Sequence, residues 1–262
     1  MSIAEKQSIL SANNVIIAEN EQKIYDAGYA KGKSEGGGDN HYDRFWDAYQ
    51  DYGNPKDYSM AFGSSWTEEI FKPKYDIVPT NAYMIFRTNK MNIDLVEYLN
   101  DIGIILDLSK ATNTQYMFNG SSFTRIGAVD VSGSTNSTPL DSVFTNCRSL
   151  VTIDKIIPKT ATGGYNTFSS TFGNCNALEN VTFEGTISTN GLNLQYSKNL
   201  SHDSIVNIIN VLSTTTSGLS ITLSKEAVNK AFETSVDLAD GVTSAEWLDL
   251  IATKQNWTIS LV

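Results

Sequence analysis

The sequence predicts an α+β protein in which an N-terminal helix and a small aromatic-rich segment precede a repeat solenoid with short parallel strands, closed by an α/β C-terminal capping module. Three observations predict this class. A ten-residue pattern recurs within residues 104–200, uncharged polar residues crowd the same region, and helix and strand patterns alternate again after Ser201. The predicted boundaries are 1–40, 41–103, 104–200 and 201–262.

The charge of the chain is low and acidic. Its 262 residues include 19 Lys and Arg against 29 Asp and Glu, a formal net charge of −10. Because sequence-independent nucleic-acid binding depends on neutralising phosphates with basic side chains, we expect no nucleic-acid partner. The 28 Ser, 25 Thr and 24 Asn residues are typical of turns and strand edges. No apolar run is long enough to span a bilayer and no secretory signal is recognisable, so neither membrane insertion nor export is expected.

Residues 1–40 predict a helix that self-associates and anchors the chain, followed by a Gly-rich linker. Apolar side chains recur every seven residues at Ile3, Leu10, Ile17 and Ile24. A strict spacing of seven indicates a helix that faces a parallel partner. The second set of heptad positions that would contact the partner is mostly polar, so the stability of such an assembly would be marginal by itself. A single amphipathic helix docked on another surface and a disordered segment are the alternatives to a homo-oligomer.

An aromatic-rich attachment segment follows. Tyr42, Phe45, Trp46 and Tyr49 have the spacing of one face of a helix, which indicates a packing or docking surface. Carbohydrate stacking on Trp46 or Trp66 is the alternative. A strand over residues 83–87 and a helix over residues 93–99 are expected to complete this part.

The most specific feature is a repeated F-x-N-C-x-x-L-x-x-[IV] pattern. It occurs at residues 144–153 and again, 28 residues later, at residues 172–181; a degenerate copy begins at Phe118. One such unit cannot bury its apolar positions alone, so the units are expected to stack, with parallel strands at residues 106–109, 129–131, 153–157 and 181–183. The predicted solenoid core consists of Phe118, Phe144, Cys147, Leu150, Ile153, Phe172, Cys175, Leu178 and Val181.

Cys147 and Cys175 occupy the same position in successive units, so stacking is expected to bring them close together. Free Cys packs as a small hydrophobic residue, and assembly inside a cell keeps thiols reduced, which favours buried unpaired thiols. A disulfide is the alternative.

The repeated pattern resembles the BspA-type leucine-rich repeat. Residues 17–28 (IAENEQKIYDAG), 42–50 (YDRFWDAYQ), 244–247 (SAEW) and 251–259 (IATKQNWTI) are similar to segments found together in tailed-phage and prophage proteins of gut Firmicutes. Those proteins are usually regarded as virion structural components near the tail tip or baseplate, and no catalytic residue is attached to them. The resemblance implies a non-enzymatic structural protein, assembled in the host cytoplasm and located in the virion. It also implies other virion proteins as partners and a host-surface glycan or protein as ligand.

Residues 201–262 predict a module that caps the solenoid. Ser201, Ser224 and Ser244 have the character of helix N-caps, and residues 219–223 and 257–261 read as strands. Trp247 and Trp257 are expected to fill the apolar end of the last repeat unit.

Candidate catalytic or metal-binding residues are sparse. Asp107, Asp130 and Asp154 follow the apolar residue of successive expected strands, where a solvated face is favoured over an acidic ladder that accepts a cation or sugar hydroxyls. His41 and His202 are far apart, and no calcium, dinucleotide or phosphate loop is present. The sequence therefore predicts no enzyme, cofactor or metal. A bacterial leucine-rich-repeat adhesin and, less favoured, a tail-associated glycan hydrolase with paired carboxylates are the alternative functions.

Overall fold

The described residues contain both helices and short parallel strands, which confirms the predicted α+β class. The computed structural model describes residues 61–64, 66–68, 71–73, 76–159, 168, 170–232 and 244–262. All of them belong to the compact unit Lys56–Val262. The expected assembly residues Ile3, Leu10, Ile17 and Ile24 and the expected docking residues Tyr42, Phe45, Trp46 and Tyr49 lie outside the described residues.

The secondary structure consists of short elements. In the described residues the helices are α1 (Leu95–Asp101), α2 (His202–Val211), α3 (Lys225–Ala231) and α4 (Ala245–Ala252). The strands are β1 (Arg125–Asp130), β2 (Thr152–Ile157), β3 (Asn180–Phe183), β4 (Leu192–Leu194), β5 (Leu219–Leu223) and β6 (Trp257–Leu261).

The first sheet has the strand order β1-β2-β3, with all strands parallel. Ile126 lies opposite Ile153, and Ile153 lies opposite Val181, so one buried aliphatic residue from each strand forms a row. Each of these three side chains is 1% exposed. The side chains at the equivalent position of successive repeat units therefore pack against each other in the core.

Two of the expected strands are absent from their predicted places. Residues 83–87 form turns instead, because Met84 and Thr88 both have a φ of 58°, which a strand does not accommodate. Residues 106–109 contribute only a single bridge between Leu106 and Ile77. The chain turns directly after it, where the Ser109 backbone N–H donates to Asp107 Oδ1 at 2.9 Å.

The second sheet has the parallel order β4-β5-β6 and is formed by the C-terminal residues. The predicted helix starts at Ser201, Ser224 and Ser244 are confirmed, since each hydroxyl accepts a hydrogen bond from the backbone N–H three residues later. The strands predicted at residues 219–223 and 257–261 are β5 and β6.

A column of stacked phenylalanine rings runs through the core. Successive ring centroids lie 5.3, 5.4, 5.8 and 5.6 Å apart along the series Phe62, Phe86, Phe118, Phe144 and Phe172. All five side chains are fully buried. The column therefore begins two phenylalanines earlier than the sequence pattern predicts.

Within the column, each of Phe86, Phe118, Phe144 and Phe172 is flanked by left-handed backbone. Positive φ angles recur two residues before the Phe, at Met84, Tyr116, Ser142 and Ser170. They recur two residues after it, at Thr88, Gly120, Asn146 and Asn174. We call the segment between each such pair a Phe turn. Asn and Gly tolerate this conformation best, which explains the Asn of the F-x-N-C pattern.

Candidate functional site

The residues three positions after Phe86, Phe118, Phe144 and Phe172 form a buried column beside the rings, and they are Asn89, Ser121, Cys147 and Cys175. Cys147 Sγ donates to Phe118 O at 2.9 Å, and Cys175 Sγ donates to Phe144 O at 3.0 Å. Asn89 Nδ2 likewise donates to Phe62 O at 2.9 Å. Each of these three donors thus ties its own unit to the backbone of the preceding unit, which gives this position a structural role.

Both cysteines are free and fully buried. Burial raises the pKa of Cys147 to about 11, and burial also raises the pKa of Cys175. Since the thiolate is the nucleophilic form and both side chains are inaccessible to solvent, the folded protein disfavours reaction at either thiol.

The alternative of an acidic ladder at Asp107, Asp130 and Asp154 is wrong, because the three residues are not equivalent in the sheet. Asp130 lies opposite Ile157, three residues beyond Asp154 on β2. Asp107 and Asp130 each accept a hydrogen bond from the backbone N–H two residues later and so close a turn. Asp154 instead accepts two hydrogen bonds from Arg125, at 2.7 and 3.0 Å.

Arg125 is the centre of an ion-pair group at the start of β1. Its Nη1 lies 3.6 Å from Asp94 Oδ2, and its Nε lies 2.7 Å from Asp154 Oδ1. The hydrogen bond to Asp154 is the main cause that raises the pKa of Arg125. The Arg125 side chain is 42% exposed, so solvent screens these pairs and they contribute little to stability.

A cleft separates α1 from β1. Its volume is about 170 Å³. The lining residues are Leu95, Val96, Leu99 and the polar Asn100 of α1, Ile104, Ile105 and Leu106, and Ile126, Gly127 and Ala128 of β1. Ile105 at its rim is 61% exposed. No titratable side chain is among its lining residues, so the cleft is a mostly apolar surface feature.

Helix α2 closes the free edge of β3 with its side chains. Ser204 Oγ accepts the Val181 backbone N–H at 3.0 Å, and Asn207 Oδ1 accepts the Phe183 N–H at 2.7 Å. Asn207 Nδ2 donates back to Phe183 O at 3.2 Å. The Asn207 amide therefore supplies the donor and acceptor that a further strand would supply. Sequence reasoning missed both residues, although a polar Asn207 between Ile205 and Ile208 on an apolar helix face was a usable signal.

The C-terminal residues 244–262 are fastened to the end of α2. Lys254 Nζ donates to Asn210 O at 3.0 Å and to Leu212 O at 2.7 Å. Burial lowers the pKa of Lys254. Trp257 Nε1 donates to Ser213 O at 2.8 Å. The expected filling residues Trp247 and Trp257 are 3% and 7% exposed.

His202 joins three elements at the start of α2. Its Nε2 lies 2.7 Å from Glu246 Oε1, its Nδ1 lies 3.3 Å from Asp203 Oδ1, and its ring lies 4.9 Å from that of Phe232. The pKa of His202 is raised mainly by the hydrogen bond to Glu246 and secondly by the hydrogen bond to Asp203. His41 lies outside the described residues.

The Phe turns, together with the residue directly before each of them, present a partly exposed surface that we call the turn face. Its members are Tyr83, Gln115, Tyr116, Asn119, Asp141, Asn146 and Asn174. The rings of Tyr83 and Tyr116 meet edge to face with centroids 6.1 Å apart.

Amide side chains of this face link neighbouring repeat units. Gln115 Nε2 donates to Thr138 Oγ1 at 2.8 Å, and Asn174 Nδ2 donates to Asn146 Oδ1 at 2.8 Å. The face thus combines two aromatic rings with amide groups held in fixed positions. By contrast, Trp66 is only 5% exposed and packs edge-on against Phe62 and Phe71, so carbohydrate stacking on Trp66 is excluded.

The fold and these contacts define an α+β protein with parallel sheets and a stacked Phe column. No protein-family model matches the chain, and no curated protein and no solved structure matches it either. Within the described residues, no three His, Cys, Asp or Glu side chains are grouped so as to hold a metal ion. The helices described here include none with the length and apolar character to cross a membrane.

Proposed function

We propose that this chain is a non-enzymatic structural protein of a tailed-phage virion, located at the tail tip, at the baseplate or in a fibre. Its repeat units form a leucine-rich-repeat-like solenoid that contacts a host-surface molecule or a neighbouring virion protein. One observation supports the binding role. The Phe turns stack in register, so the residues of the turn face form an ordered array on the protein core. Arrays of this kind suit extended binding surfaces.

The chemistry of the turn face favours a neutral glycan as the ligand. Aromatic rings such as Tyr83 and Tyr116 can stack on the apolar face of a sugar, while amide groups such as Gln115 and Asn119 can exchange hydrogen bonds with its hydroxyls. Asp141 occupies the position equivalent to Tyr83 and Gln115 and adds one carboxylate acceptor.

The non-enzymatic part of the proposal is supported by the engagement of reactive groups in structural contacts. Cys147 and Cys175 donate to backbone carbonyls, and Asp154 pairs with Arg125. His202 bridges two carboxylates at the surface. The virion location is supported by the resemblance of residues 17–28, 42–50, 244–247 and 251–259 to tailed-phage proteins, and residues 1–40 supply the anchor and self-association.

The binding role is tested by labelling the full chain and measuring its retention on cells of the organism that carries the gene. Tyr116→Asn removes one ring of the pair while keeping a residue that tolerates the left-handed φ of 57°. We expect a loss of at least tenfold in cell binding. Tyr196→Asn is the matched control, because Tyr196 is 44% exposed and belongs to a later part of the chain. Equal binding by both variants and the unchanged protein would refute the role of the turn face.

The virion location is tested separately by growing or inducing phage and purifying particles on a density gradient. An antibody to the full chain is expected to detect it in the particle fraction and to label one end of the tail in electron micrographs. Detection only on the bacterial cell surface would replace the virion proposal with the adhesin alternative.

A further inference from the structure

The two sheets end differently. The outer edge of β3 is closed by α2, whose Ser204 and Asn207 side chains take the backbone N–H groups of Val181 and Phe183. In the second sheet β6 is the last strand, and among the described residues no strand pairs with it on the side away from β5. A strand edge of this kind is a template for pairing with another chain.

The backbone groups on this edge of β6 follow from the pairing on its other edge. The Val262 N–H donates to Leu223 O at 3.1 Å, so Val262 faces β5. Because consecutive strand residues alternate in direction, Thr258 and Ser260 also direct their backbone groups toward β5, whereas Ile259 and Leu261 direct theirs away from it. The Trp257 N–H already donates to Lys254 O at 2.9 Å.

Strand β6 contains neither the charges, the Pro nor the bulge that commonly prevent edge pairing. Its sequence, Trp-Thr-Ile-Ser-Leu, contains no charged residue and no Pro, and its register against β5 runs from Leu219–Trp257 to Leu223–Leu261 without a bulge. Ile259 and Leu261 are half-buried, and Val262 next to them is 62% exposed. The chain carries a net charge of −10, so an uncharged edge is where two copies meet with the least repulsion.

We propose that β6 pairs antiparallel with β6 of a second copy of this chain, about a twofold axis at Ile259. In that register Ile259 lies opposite Ile259 of the second copy, and Thr258 lies opposite Ser260. Trp257 lies opposite Leu261, so apolar residues meet on one face of the strand and hydroxyl residues meet on the other.

This register also matches the available backbone groups. The two Ile259 residues exchange both of their N–H···O bonds, and each Leu261 N–H donates to the Trp257 carbonyl of the other copy. The result is a continuous sheet with the order β4-β5-β6-β6-β5-β4. An interface in which the same patch serves both copies closes on itself, so the product is a pair and not a fibre. This inference is independent of the proposed virion location.

Two charge variants of the full chain test the register. Thr258→Lys with Ser260→Lys places like charges opposite each other in the pair, whereas Thr258→Lys with Ser260→Glu places opposite charges there. Both exposed positions point away from the core, so each variant is expected to fold, which circular dichroism checks. We expect the mass in solution, measured by light scattering at rising concentration, to halve in the Lys/Lys variant and to be retained in the Lys/Glu variant.

Hydrogen exchange keeps the test valid if residues 1–40 also associate. At the same protein concentration, the amides of Ile259 and Leu261 are expected to be at least tenfold better protected in the unchanged protein and in the Lys/Glu variant than in the Lys/Lys variant. Equal exchange of these amides in all three proteins at the same concentration would overturn the proposal, whether or not residues 1–40 also associate.

Discussion

Replacing Asn207 with Ala removes both of its hydrogen bonds to Phe183, at 2.7 and 3.2 Å. Phe183 is 2% exposed, so its N–H and carbonyl lose their partners in a largely buried place. Each such bond contributes about 0.5–1.5 kcal/mol net, which gives an expected loss of about 2 kcal/mol in the free energy of unfolding. For a domain of this size that corresponds to a fall of about 4–8 °C in Tm. Urea denaturation followed by circular dichroism measures the loss.

Asn210→Ala is the matched control, because Asn210 lies one turn further along α2 with an exposed side chain. Both substitutions gain about 0.5 kcal/mol of helix propensity, so the difference between the two variants isolates the contacts with β3. Ser204, which accepts the Val181 N–H, is unchanged in both proteins. A difference below about 0.5 kcal/mol would show that water replaces Asn207 at the sheet edge and would refute the reasoning.

Three further substitutions test other contacts. Lys254→Met keeps the apolar stem but removes the two bonds to the end of α2, so denaturant unfolding is expected to show a loss of about 2 kcal/mol that exposed Lys230→Met does not show. Because Glu246 raises the pKa of His202 in the folded state, the ion pair stabilises the protein fully below about pH 6.5, the ordinary His value, and this contribution is lost as the pH rises through the folded pKa. His202→Gln is therefore expected to be less stable than the unchanged protein at pH 6 and equally stable at pH 9 in urea titrations; a constant difference would contradict the ion pair. Thr88→Asn relieves a β-branched residue at a φ of 58° and is expected to raise the unfolding free energy by up to about 1 kcal/mol in the same assay.

The sequence predicts those parts of the fold in which the residue type is one that favours the backbone conformation found there. Asn146 and Asn174 are recognisable because Asn suits the left-handed backbone that a Phe turn needs. The turn around Phe86 has the same backbone but carries Met84 and Thr88, so its residues give no hint of it and the phenylalanine column was predicted too short.

Register and side-chain partners were harder to predict. The spacing of Asp130 and Asp154 suggests equivalent positions in the sheet. The repeat units differ in length, however, so Asp130 lies opposite Ile157 on β2. The contacts of Asn207 with Phe183 depend on where α2 lies after the chain leaves β4, which local periodicity does not encode. The pair Tyr83 and Tyr116 comes from two separate turns, so only the stacking of those turns reveals it.

The two buried thiols make this protein a reporter of its own local opening. Cys147 and Cys175 directly follow consecutive Phe turns, and each is inaccessible while the turn before it is closed. A thiol reagent present in excess therefore modifies each cysteine at a rate set by the opening of its turn. Comparing the two rates would tell whether neighbouring units open together or one at a time, without introducing any label into the chain.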